Sequence, residues 1–94
     1  MSGRLIELDA LRHTPAGLPV MKFRLQHDSV QTEAGGERKV SCEIEAVAFE
    51  REATLLAAAK LGSELTVTGF LAARSRTSKS VVLHATQVEF KQGD

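Results

Sequence analysis

The sequence predicts a small all-β barrel of five strands, with one short helix between the third and the fourth. Three observations predict it. Apolar and polar residues alternate with a period of two over most of the chain, as Met21, Phe23 and Leu25 do against Lys22, Arg24 and Gln26. Breaks rich in glycine, proline and serine separate these runs. One stretch only, Glu50 to Lys60, largely exchanges β-branched residues for alanine and leucine.

The first run, Arg4 to Leu11 (RLIELDAL), reads as a strand whose broken alternation marks a β-bulge. It leads into His13-Thr14-Pro15-Ala16-Gly17-Leu18-Pro19, which has loop chemistry. Val20 to Ser29 is a half-buried strand with Met21, Phe23 and Leu25 inside and the cations Lys22 and Arg24 outside. Val30 to Glu37 reads as a loop around Gly35-Gly36, because adjacent glycines permit positive φ. Arg38 to Phe49 resumes the alternation, with Val40, Cys42, Ile44 and Ala46 on one face and Lys39, Ser41, Glu43 and Glu45 on the other. That parity makes Cys42 a buried core thiol.

Glu50 to Lys60 is a helix of about three turns. Its leading acids suit a helix N-terminus, Lys60 falls in the last turn, and Gly62 sits at the C′ position. Leu65 to Ala73 and Ser80 to Val88 then form a hairpin, with Gly69 inside its first strand.

The order β-β-β-α-β-β is that of an OB-fold, and residues 1–94 are expected to form a single domain of that kind. Such barrels take oligonucleotides on the face of their second and third strands, with the first–second and fourth–fifth loops at the rims. The fourth–fifth loop carries Arg74, Arg76 and Lys79, and no acid occurs between Glu64 and Glu89 in a chain whose net charge is zero. Lys22 and Arg24 lie on the second strand. Two basic clusters therefore converge on the surfaces with which this fold binds polyanions.

Composition narrows the remaining classes. A neutral chain argues against whole-surface nucleic-acid binding and leaves a local patch. No apolar run approaches the roughly 20 residues that span a bilayer. MSGRLIEL has no signal-peptide core, so a cytoplasmic address is expected. One cysteine excludes an intramolecular disulfide. His13, His27 and His84 have no metal-ligand spacing, and the adjacent His27-Asp28-Ser29 alternate between strand faces, which no nucleophile–base relay tolerates. Phosphate-loop and dinucleotide fingerprints are missing. The expectation is a binding protein without cofactor or metal, and not an enzyme. A core this small also gains from dimerisation.

Several fragments, in order, resemble one family: Arg4-Leu5-Ile6; Pro15-Ala16-Gly17-Leu18-Pro19-Val20; the run 25–35, with the pattern L-x-H-x-S-x-Q-x-E-x-G; the run 62–71, GSELTVTGFL; and Val82-Leu83-His84-Ala85. The chain resembles the PriB-type primosomal replication protein N of bacteria, a relative of the bacterial single-stranded DNA-binding proteins. The resemblance implies a homodimeric adaptor of the replication-restart primosome that binds single-stranded DNA and the restart helicase. Carried over by position, Arg74, Arg76 and Lys79 match the family's cationic loop, and Lys22, Arg24, Arg38 and Lys39 match its strand and second–third loop positions.

The sequence departs from the family pattern in a shorter loop built mostly on arginine, and in Ser41 where some members carry an aromatic. Tryptophan and tyrosine are absent, and Phe23 and Phe70 read as core candidates. Without a stacking platform, DNA binding is expected to be weak and mainly electrostatic. The chain ends directly after the barrel, without the long linker and acidic tip of general single-stranded DNA-binding proteins, which favours the primosomal form over that alternative. A protein-interaction module with incidental DNA binding is the other alternative.

Overall fold

The computed structural model describes residues 1–77 and 80–91. Within them the elements run β1 (Ser2–Leu8), β2 (Arg12–His13), β3 (Pro19–Glu33), β4 (Gly36–Phe49), α1 (Arg51–Ala57), β5 (Glu64–Ala73) and β6 (Val81–Phe90). Five of the strands close a ring. β1 pairs antiparallel with both β3 and β5, β3 with β4, and β5 with β6. A short parallel pairing of β4 with β6, through Ala46, Val47 and Ala48, shuts the barrel. This is the expected OB-fold, with its helix between the third and fourth barrel strands.

The alternating residues build the interior as their parity dictates. Leu5, Met21, Phe23, Leu25, Ala46, Ala48, Leu65, Val67, Leu83, Ala85 and Val88 point inward, and Ala53 and Leu56 of α1 join the same core. Burying a leucine such as Leu5, Leu25, Leu56 or Leu65, each 0% exposed, contributes about 1.5–3 kcal/mol. The expected bulge in the first strand is present between Leu5 and Glu7. The strand ends at Leu8 rather than Leu11, because Asp9 turns its carboxylate onto the Ala10 N–H. The segment around His13, expected as loop alone, forms β2. The bonds Thr14 N–H to Leu18 O and Gly17 N–H to Thr14 O close a tight reversal at Gly17, φ 88°. That reversal lays Arg12 and His13 beside Val20 and Pro19.

The largest correction concerns Val30–Glu37. These residues are not a loop. β3 and β4 pair without interruption from Val20↔Phe49 to Glu33↔Gly36. The reversal is confined to Ala34 and Gly35, with φ of 51° and 81°, the two positive values of a type I′ hairpin turn. The hairpin therefore reaches beyond the barrel as a two-stranded arm, and among the described residues no second layer covers its outer half. Cys42, expected in the core, is exposed for that reason, as is Val40. The arm also lengthens the molecule. Its radius of gyration is 14.6 Å, against about 12 Å for a compact chain of this size.

The helix is two turns rather than three and ends at Ala57, so Lys60 lies beyond its last turn. Glu52 in its first turn is buried and accepts the Val88 N–H at 3.1 Å, tying the helix to β6. Gly69 is required where it stands. A Cβ there would lie 1.9 Å from the carbonyl oxygen of His84, at the bulge between Thr68 and Gly69 where β5 presses onto β6.

Candidate nucleic-acid interface

Strand parity decides what the barrel shows to solvent. Paired residues of neighbouring strands share a face, so the register reads across the sheet in rows. One row runs Lys22 of β3, Val47 of β4, His84 of β6 and Phe70 of β5. The next places Glu7 of β1 against Arg24, and Arg24 against Glu45. Lys22, Val47 and His84 of the first row and Glu7, Arg24 and Glu45 of the second line an open groove of ≈ 510 Å³, together with Asp9, Ala73, Arg74 and Val82.

The two basic clusters expected to converge do so in part. Lys22, Arg24 and Arg74 line the same groove. Arg76 lies farther out in the β5–β6 loop and is exposed. Arg38 and Lys39 sit near the tip of the arm, opposite Gln31 and Val30. Lys39 shares the outer face with Lys22, but eight residues along a strand separate it by about 27 Å. Lys79 lies outside the described residues.

Strand alternation carries no sign of how the acids are seated. Glu45 stands between two of the arginines. Arg24 Nη2 donates to Glu45 Oε1 at 3.1 Å, and the Arg74 guanidinium contacts Glu45 Oε2. Arg24 Nε lies 3.1 Å from Glu7 Oε2 without the alignment of a hydrogen bond, so that contact is Coulombic. Among the described lining residues three bases, Lys22, Arg24 and Arg74, face three acids, Glu7, Asp9 and Glu45. Farther along the same face Glu43 and Asp28 lie between Arg24 and Lys39. The track of positive charge is interrupted. The Glu45 carboxylate occupies the position between Arg24 and Arg74. Exposed pairs of this kind are worth only about 0–1 kcal/mol.

The aromatic residues also depart from expectation. Phe23 is in the core at 4% exposure, but Phe70 is 56% exposed and Phe49 40% exposed. Both stack on His84. Phe70 and His84 have ring centroids 5.1 Å apart and planes 10° apart; Phe49 and His84 are 6.2 Å and 21° apart. The signal was available. Leu65 and Val67 set an inward parity that leaves Phe70 outside, and Ala46 and Ala48 do the same for Phe49.

Asp28 lies opposite Ser41 on the arm. A hydrogen bond from Ser41 holds its carboxyl below the ordinary value of 3.8, with smaller help from Gln26, Arg4 and His27.

Residues 1–87 match a family described as "another single-strand binding protein family". The replication restart protein PriB of Bordetella pertussis is 47% identical over 87 residues, which cover 93% of this chain and 81% of that protein. The structure of PriB from Ralstonia solanacearum superposes with a TM-score of 0.84 at 32% identity, covering 98% of this chain and 94% of the other. The single-stranded DNA-binding protein of Thermus aquaticus shares the fold, with a TM-score of 0.80 at 24% identity over 98% of this chain and 48% of the other.

Proposed function

The chain belongs to this single-strand binding family and, within it, to the PriB-type replication restart proteins, and from that premise we propose that it binds single-stranded DNA during replication restart, as a non-catalytic adaptor. The observation that carries the proposal is the groove in which Lys22 and Arg24 of β3 meet Arg74 from the β5–β6 loop. Arg74, Arg76 and Lys79 pair with phosphates at the rim. Lys22 and Arg24 extend the contact along the strand face, and Arg38 and Lys39 give a separate contact at the arm tip. The protein works as a homodimer in the cytoplasm, one barrel per chain, and presents the strand to the restart helicase. Two loops engaging one strand raise avidity without new contacts.

Salt-dependent fluorescence anisotropy on an oligothymidine tests this. If each protomer neutralises three to four phosphates, log K falls with log salt by roughly 2–3 per protomer. Alanine at Arg74, Arg76 and Lys79 together weakens binding and flattens that slope; an unchanged slope removes the loop from the site.

One observation favours a second reading, a protein-docking module with incidental DNA binding. Among the described residues the groove is lined by three acids and the three bases Lys22, Arg24 and Arg74, which suits a partner surface of mixed charge better than a polyanion. Failure of the wild-type protein to bind the oligomer at low salt and tens of micromolar would select this reading.

A further inference from the structure

We propose that Thr77, in the loop between β5 and β6, is a phosphoacceptor for a protein kinase that selects basic segments, and that its phosphorylation weakens the hold of the groove on single-stranded DNA. The inference rests on the single-strand reading above and adds a regulation of that site.

Three features carry it. The hydroxyls of Ser75, Thr77, Ser78 and Ser80 are interleaved with Arg74, Arg76 and Lys79, and no acid occurs between Glu64 and Glu89. An enzyme with an acidic cleft meets only attraction there. The loop also stands outside the sheet. Arg74 N–H donates to Ser80 O at 3.0 Å, which closes the β5–β6 ladder and leaves the exposed Thr77 beyond it. Such a segment enters a cleft without breaking strand pairing. Finally, hydroxyls elsewhere are engaged with their own backbone. Thr14 accepts the Leu18 N–H, Thr54 donates to Glu50 O, Ser63 to Lys60 O and Thr86 to Thr68 O. Within the loop, Thr77 has Arg76 next to it and Arg74 three residues before it, whereas Ser75 follows one cation and Ser80 sits at the closing bond. Ser78 lies outside the described residues.

The phosphoryl donor is a nucleoside triphosphate. Thr77 Oγ1 attacks its γ-phosphorus, and the bond from that phosphorus to the β–γ bridging oxygen breaks. The diphosphate leaves with the electron pair, and the hydroxyl proton passes to a base of the kinase. The product carries about −1.5 to −2 charges at pH 7, set among Arg74, Arg76 and Lys79. Guanidinium groups form short, charge-assisted bonds with phosphate. The modified loop therefore satisfies its own cations and repels the backbone of an incoming strand. Arg74 lines the groove, so the change enters the site through it.

The test incubates the full chain with magnesium–ATP and the catalytic subunit of the cyclic-AMP-dependent protein kinase, a probe that selects basic segments. Intact mass and fragment spectra should show one phosphate, on Thr77. Anisotropy on an oligothymidine should then show affinity lowered roughly tenfold at low salt, and a salt slope flattened by about 0.7–1.4, one or two phosphate contacts. Thr77→Ala should take no phosphate and bind the oligomer as the unmodified wild type does, and Thr77→Ser should restore the transfer. Wild-type protein that takes no phosphate overturns the acceptor site, and equal incorporation into Thr77→Ala overturns its assignment. Phosphorylated protein with unchanged affinity and slope overturns the regulation and leaves the groove reading standing. Unmodified protein that fails to bind the oligomer overturns the groove reading and the regulation with it, while the mass spectra still decide the acceptor.

Discussion

The β3–β4 hairpin and the β5–β6 hairpin are made by the same alternation and used differently. The first is long, regular and polar. Its register runs unbroken from Val20↔Phe49 to Glu33↔Gly36, and its outer half touches no core. Its outward face mixes Lys22, Arg24 and Lys39 with Glu45, Glu43 and Asp28. The second hairpin is bulged at Gly69 and carries Phe70 and His84 outside, beside Arg74 at its loop. A regular ladder with both signs of charge satisfies itself. A bulged ladder with exposed rings leaves its surface open to a ligand. The β5–β6 side, together with Phe49 at the end of β4, is where binding strength should concentrate.

The largest expected effect separates the base of the arm from its tip. Leu25→Ala, at a position 0% exposed, should cost about 2–5 kcal/mol. Val40→Ala, the same kind of truncation on the uncovered half, should stay within about 0.5 kcal/mol. Urea midpoints measure both, and equal losses would show that the arm is packed in solution.

Next in size, Gly69→Ala forces a methyl into the His84 carbonyl and should cost about 1–3 kcal/mol or more. Because it displaces His84 it should also weaken oligothymidine binding, measured on protein still folded at low temperature. Loss of stability with full DNA affinity would separate the bulge from the groove.

Glu45→Gln tests the mixed charge directly. Removing the carboxylate that engages Arg24 and Arg74 frees two cations for phosphate. The salt slope should steepen by about 1.4, and affinity should rise roughly tenfold at low salt. A variant that binds no better would mean that these arginines do not meet DNA.

The smallest effect is on acid stability. Asp28 has a lowered folded-state pKa, so the native chain binds fewer protons than the unfolded one between the two values. Its contribution is present above the ordinary value of 3.8 and is lost as pH falls through the lowered one. Because the side chain is exposed, the effect is slight. Ser41→Ala, which deletes the leading hydrogen bond, should narrow the stability difference between neutral pH and about pH 3, by chemical denaturation.

Much of this was legible in the chain. The order of the barrel strands, the place of the helix, the bulge in the first strand and most inward residues of the barrel strands follow from period-two alternation and its interruptions. The misreadings have separate causes. Val30–Glu37 looked like a loop because of its two adjacent glycines, yet only Ala34 and Gly35 take positive φ. Cys42 has core parity but nothing to be buried against, and Phe70 has outward parity but looked too apolar to be left there.

Sequence alone determines which side of a strand each residue occupies, because the backbone fixes the direction of Cβ from one residue to the next. It does not determine what lies opposite. Arg24 and Glu45 are 21 positions apart, and Arg74 reaches the same carboxylate from another hairpin. Only barrel closure and strand register decide that two arginines share one acid, that one half of a hairpin goes uncovered, and that three rings from three strands form one surface. Charge pairing and burial act through space between strands, and local periodicity carries no record of that distance.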